Sequence, residues 1–119
     1  MKTVLIVEDD RNIANSIKIR LSAMGFVAIA SNDAVYAMDA YKKYQPDVVL
    51  LDVNLPGGDG FLLAERIMNA SSTTTPALIF ISASKDPKFQ KRATEFGAVF
   101  LEKPFEPHEL SVAIQDGLC

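Results

Sequence analysis

Four places in this 119-residue chain carry side chains suited to charge chemistry. Glu8-Asp9-Asp10 closes the first apolar run, Val4–Val7, and Asp52 stands alone behind Val48-Val49-Leu50-Leu51. Ser82 ends the run Ala77–Ile81, and Lys103 follows Ala98–Leu101. Acids brought close together raise one another's pKa and cost stability unless something cancels their charge. A lysine covers one charge. A divalent cation with a preference for hard oxygen covers more, and Mg2+ typically uses one or two carboxylates, waters and a phosphate. A phosphoryl group enters an acidic crevice only with a cation already bound. The chemistry that suits these residues is therefore metal-assisted phosphoryl transfer with one carboxylate as nucleophile. Asp52 is the best-placed nucleophile, with Ser82 as a hydroxyl donor and Lys103 as a fixed cation for the transferred oxygens. No Gly-rich loop follows the first run, so neither the dinucleotide fingerprint nor the Walker loop is present.

For these residues to meet, the chain must bring several strand ends to one edge. Thr3–Val7, Val27–Ser31, Val48–Leu51, Ala77–Ser82 and Ala98–Leu101 read as strands. They are continuous apolar runs, as expected of parallel strands covered on both faces. Between them the period becomes helical: Ile13, Ile17, Leu21 and Met24 with a Gly25 stop, then Ala34, Ala37, Met38 and Tyr41 ended by Pro46, then Leu62, Leu63, Ile67 and Met68. Asp86-Pro87 and Glu106-Pro107 open the last two helices with an acid at the cap and proline at the first helical position. Alternation of this kind predicts an α/β fold, a flavodoxin-like doubly wound (βα)5 sandwich with a parallel five-stranded sheet of order 2-1-3-4-5. In such sheets the working crevice lies off the carboxyl ends of the strands where the order reverses. With the first and third strands as neighbours, Glu8, Asp9 and Asp52 converge there.

Composition narrows the classes. The chain is 49% hydrophobic with a net charge of −3, which predicts one domain over residues 1–119 with a real core. Its longest apolar runs are five residues, Phe26–Ala30 and Ala77–Ile81, where a bilayer needs about 20. The acids behind Val7 also exclude a secretory signal. The single cysteine, Cys119, excludes a disulfide framework and makes the cytoplasm the expected location. The acidic balance argues against nucleic-acid contact by this domain. Five strand–helix units consume these residues.

Four motifs in order resemble the receiver domain of two-component response regulators: Val4-Leu5-Ile6-Val7-Glu8-Asp9-Asp10, Val48 through Gly60, Phe80-Ile81-Ser82-Ala83, and Leu101-Glu102-Lys103-Pro104-Phe105. The resemblance spans the chain, and the set is far more specific than any one motif. It implies that Asp52 accepts a phosphoryl group from a sensor histidine kinase or histidine phosphotransfer protein. It implies a Mg2+ site, with Mn2+ as the alternative, made by Asp9 directly, Glu8 through water, Asp52, and the backbone carbonyl of Asn54. Ser82 then bonds one phosphoryl oxygen and Lys103 another. Phe100 matches the aromatic switch position, although one residue fewer than usual separates it from Gly97-Ala98. The Lys103-Pro104 bond is expected to be cis. The signal is displayed by the fourth helix, fifth strand and fifth helix to an effector or linked output domain, with a homodimer possible through that surface. Asn54 and Ser84 stand where family members tune the lifetime of the phosphoryl group.

Other residues have plainer readings. Asp10 reads as a helix start and Asp59-Gly60 as turn and cap chemistry. Gly57 and Gly58 read as turn residues near the site. Met24, Met38 and Met68 read as core filler, and His108 as a surface residue without catalytic duty. Lys85, Lys88, Lys91 and Arg92 read as a solvated basic face, with a partner contact as the alternative. Two rival functions compete. A Mg2+-dependent phosphohydrolase of the haloacid-dehalogenase type would place its nucleophile after the first strand with a second aspartate two residues on, where this chain has Asp52 and Asn54. A receiver-like interaction module independent of phosphorylation would not need the full set of chemical residues.

Overall fold

The computed structural model describes residues 2–55, 58–71 and 74–118. The turn role expected of Gly57, residues 72 and 73 of the polar loop, and the terminal Cys119 lie outside the described residues. Five parallel strands, β1 (Thr3–Val7), β2 (Val27–Ser31), β3 (Val48–Asp52), β4 (Ala77–Ser82) and β5 (Val99–Glu102), form one sheet in the order 2-1-3-4-5. Helices α1 (Arg11–Ala23), α2 (Ala34–Tyr44), α3 (Gly60–Ala70), α4 (Pro87–Glu95) and α5 (Pro107–Leu118) alternate with them. This is the expected flavodoxin-like arrangement, with β3 one residue longer than its apolar run and β5 shifted by one residue. Asn54–Leu55 also pairs antiparallel with Gly58–Asp59, a ladder too short for periodicity to reveal.

Strand parity explains the continuous apolar runs. Leu5, Val7, Val49, Leu51, Leu78 and Phe80 pack under α2, α3 and α4, through residues such as Ala37, Phe61, Ile67 and Ala93. Their alternates Val4, Ile6, Val48, Leu50, Ile79, Ile81 and Leu101 pack under α1 and α5, against Ile17, Leu21, Leu110 and Ile114. Both faces of a strand are thus buried, and every position must be apolar. Strand β2 departs from this expectation. It lies at the sheet edge, and Val27 and Ala30 are exposed. Leu62 also faces solvent, so the inward stripe of α3 is Phe61, Leu63, Ala64 and Ile67. Met24, Met38 and Met68 are half-buried at the core margins rather than inside it.

Helix ends follow local chemistry. Asp10 accepts from the N–H of Asn12 (2.9 Å) and Ile13 (3.2 Å), Asp59 from Phe61 (2.7 Å), and Asp86 from Lys88 (3.0 Å) with Pro87 in the first turn. At α5 the expected acid cap is reversed: the Glu109 carboxylate reaches back to the Glu106 N–H at 3.1 Å. Gly25, just past the Met24 cap of α1, has a φ of +90° that suits glycine. His108 is exposed in the first turn of α5. Among the described residues, no helix is long and apolar enough to cross a membrane.

Candidate functional site

The carboxyl ends of β1, β3 and β5 bring Glu8, Asp9, Asp52 and Lys103 together. The ladder continues one step past the strands, through Glu8 N–H to the Ser31 carbonyl (3.1 Å) and Lys103 N–H to the Ser82 carbonyl (2.8 Å). Glu8, Asp52 and Lys103 thereby continue the side-chain series of Ile6, Leu50 and Leu101 and share one face. Lys103 Nζ donates to Glu8 Oε2 at 2.9 Å, to Glu8 Oε1 at 3.1 Å and to Asp52 Oδ2 at 2.7 Å. The other Asp52 oxygen, Oδ1, accepts the backbone N–H of Asn54 at 3.0 Å. Glu8 and Asp52 are buried, whereas Asp9 is exposed at the mouth.

Burial dominates the protonation of Glu8 and pushes its carboxyl from 4.5 up to about 7. The Lys103 hydrogen bond opposes that rise, and the neighbouring Asp52 carboxylate adds to it. For Lys103, burial works to lower the pKa, but hydrogen bonds and charge from Asp52 and Glu8 outweigh it, and its pKa lies above 10.5. Lys103 therefore stays cationic at neutral pH. The folded state holds a proton on Glu8 that the unfolded chain releases near 4.5, so this group's contribution to stability falls as pH rises from about 4.5 to about 7. In metal-free protein, the unfolding free energy is expected to drop by on the order of 2 kcal/mol between pH 5 and 7.5. Glu8→Gln should flatten that slope in chemical denaturation, and an unchanged slope would contradict the assignment.

Oxygens of Glu8, Asp9 and Asp52 lie within 4.8 Å of one another. When all three are ionised, one lysine leaves two negative charges unmatched. A small divalent cation would supply that balance, and an all-oxygen donor set suits Mg2+ or Mn2+. The donors are not equivalent. Both Glu8 oxygens already bond Lys103, while Asp9 is open to solvent, so Asp9 is free for direct ligation and Glu8 is suited to act at one remove.

Ser82 belongs to the opposite parity, that of Leu78 and Phe80. It is fully buried, and its Oγ accepts the Ser84 N–H at 3.0 Å instead of joining the Lys103 network. Phe100 is half-buried on β5, in register with Phe80. The Lys103-Pro104 peptide is cis, as the resemblance implies. Asn54 is exposed beside the acids, and Ser84 is half-buried.

Two features escape a reading by motif. The Asn54 N–H bonds the Asp52 side chain, a role beyond the two expected of Asn54, its carbonyl as a metal ligand and its place among the lifetime-tuning positions. Gly60 does more than turn the chain: a Cβ there would collide with the Asp52 carbonyl oxygen and lie 2.8 Å from Val53 Cα. The Gly60 N–H also donates to the Val53 carbonyl at 2.8 Å. Gly60→Ala is expected to destabilise the fold by about 1–3 kcal/mol despite alanine's better helix propensity, because the clash is with backbone. A shift of the denaturation midpoint checks this, and a neutral or stabilised variant would contradict it.

The response regulator receiver domain family matches residues 4–115 of the chain. The Staphylococcus haemolyticus response regulator protein GraR is 32% identical over 113 residues, 94% of this chain and 49% of that protein. The Bacillus subtilis transcriptional regulatory protein YxdJ is 36% identical over 106 residues, 88% of this chain and 45% of that protein. The chain thus spans about half the length of these curated relatives. Among solved structures, a response regulator from Chloroflexus aurantiacus, described as putative in its own report, superposes with a TM-score of 0.90 at 32% identity, covering 98% of this chain and 97% of that one. The Vibrio cholerae chemotaxis response regulator CheY4 gives 0.90 at 26% identity, covering 99% of each chain.

Proposed function

The chain belongs to the response regulator receiver domain family of two-component systems, and from that premise we propose that it is a phosphorylation-controlled switch with Asp52 as acceptor. The observation that carries this reading is the two-point hold on the Asp52 carboxylate, Lys103 on one oxygen and the Asn54 N–H on the other, beside Glu8 and Asp9. A buried, pre-oriented carboxylate is a nucleophile whose attack geometry is already organised. One Asp52 oxygen forms a bond to the phosphorus of a phosphohistidine on a sensor histidine kinase or phosphotransfer protein. The P–N bond breaks, and its electron pair stays on the imidazole nitrogen, which regains a proton from solvent if it leaves as the anion. Mg2+, or Mn2+ in its place, held by Asp9, Asp52, the Asn54 carbonyl and Glu8 through water, would neutralise charge on the phosphoryl oxygens.

After transfer, Ser82 exchanges its Ser84 partner for a phosphoryl oxygen, and Lys103 moves from the carboxylates to another. Phe100 turns toward the space vacated beside Ser82, and α4, β5 and α5 present the changed surface to an effector protein, a linked output domain or a second copy. The chain acts as acceptor, not as a turnover enzyme, and its place is the cytoplasm. A phosphohydrolase reading gains nothing from the geometry, because Asp52 ends β3 and Asn54 follows at the position where the second aspartate belongs. Incubation with a small acyl phosphate and Mg2+ should add the mass of one phosphoryl group, and a chelator should prevent it. Protein that stays unmodified with Mg2+ present overturns the proposal.

A further inference from the structure

Helix α4 is held to the fold by its one buried residue, Ala93, and by half-buried Phe89, which packs on the core. Three of its basic neighbours, Lys85, Lys88 and Lys91, face solvent. Arg92 departs from that solvated row. Its Nη2 lies 2.9 Å from Glu65 Oε1 on α3, and its guanidinium stands 5.3 Å above the Phe61 ring and 6.0 Å from that of Phe96. Phe61 and Phe96 stack at 6.2 Å, and Phe61 also touches Phe80 (4.6 Å) and Phe89 (6.1 Å). Phe80 meets Phe96 at 5.5 Å and lies opposite Phe100 in the β4–β5 register. One planar cation therefore adds to the Phe61–Phe89 contact between α3 and α4, over an aromatic cluster that runs on to Phe100.

Resting on the receiver reading, we propose that Arg92 is a latch that holds α4 against α3 in the unphosphorylated state and must loosen when the switch turns. A guanidinium can pair with a carboxylate and stack on rings at once, which an ammonium cannot. The pair with Glu65 is half-exposed and each contact is weak, so the fold does not depend on it. Weak contacts present in one state only are nevertheless enough to bias a two-state equilibrium. By linkage, contacts that favour the resting state reduce the apparent affinity for anything that binds the active state.

The test is calorimetric titration of beryllofluoride, which mimics a phosphoryl group on a carboxylate, into Mg2+-saturated full chain. Arg92→Ala is expected to bind it about three- to tenfold more tightly, Glu65→Gln about twofold, and Arg92→Lys between wild type and Arg92→Ala. Lys88→Ala should not tighten binding, because loss of a distant cation disfavours an anion. A purely structural role for Arg92 would lower affinity or leave it alone while lowering stability; the latch raises affinity as stability falls. Equal or weaker binding by Arg92→Ala, or tightening matched by Lys88→Ala, overturns the latch. Should Arg92→Ala fail to fold, Glu65→Gln decides the question with the ring contacts kept. Wild-type protein that binds no beryllofluoride would instead remove the receiver reading, and the latch with it.

Discussion

Asp52→Asn is expected to reduce phosphoryl uptake to background while leaving the fold in place. An amide is no nucleophile toward phosphorus at neutral pH, and of the two buried carboxylates held by Lys103 and a backbone N–H, only Asp52 keeps an oxygen that the lysine does not bond. Glu8 is screened by Lys103, and Asp9 is exposed, with no fixed partner among the described residues. The stability change should stay within about 1 kcal/mol, because the ion pair lost with Lys103 is offset by relief of repulsion with Glu8. The Glu8 carboxyl should also titrate lower, since the Asp52 charge is one of the causes that raise it. Intact-mass measurement reads the first effect and side-chain NMR titration the second. Uptake that persists in the variant would move the acceptor elsewhere.

Lys103→Ala is expected to be costlier. Lys103 Nζ makes three bonds to two buried carboxylates, and removing it leaves both without a cation. Leaving a buried charge unpaired costs about 3–5 kcal/mol, and protonation of Glu8 recovers part of that. A loss of about 2–3 kcal/mol is therefore expected near pH 7.5 in chelator, smaller at pH 5.5 and smaller again in millimolar Mg2+. Phosphoryl uptake should slow by about tenfold or more, as loss of one charge-stabilising donor commonly does. It should not vanish, because the Asn54 N–H still holds Asp52. More telling is the coupling: Lys103 directly follows β5, so without it the amide shifts caused by beryllofluoride should fade along β5 and α5. Unchanged stability in chelator, or intact β5 shifts, would contradict this role.

Much of this was legible because parallel strands buried on both faces leave continuous apolar runs. The first charged residue after such a run, Glu8 or Asp52, then marks the strand end where a site forms. Asp10, Asp59 and Asp86 were legible as caps because capping is decided within three residues. What could not be read depends on distances between elements far apart in the chain. Lys103 was expected as a partner for phosphoryl oxygens, yet it bridges Glu8 and Asp52 in the resting fold. The near-neutral titration of Glu8 follows from burial, which no motif states. Gly60 looked like a turn residue until the Asp52 backbone was placed against it. Arg92 looked like one of four surface cations, and only the approach of α3 to α4 sets it over Phe61 and beside Glu65. The expected strand order already puts β2 at the sheet edge but does not say which of its residues face solvent, since Val27 and Ala30 are as apolar as their buried counterparts.

The most direct test of the central claim is to locate the phosphoryl group chemically. An aspartyl phosphate is an acyl phosphate, and hydride reduction converts it to the alcohol, leaving homoserine in place of aspartate. Protein treated with a small acyl phosphate and Mg2+, reduced with borohydride and sequenced by tandem mass spectrometry should carry homoserine at position 52 and no other. Homoserine at position 9 or 59, or no homoserine in protein that has gained the phosphoryl mass, would contradict the account.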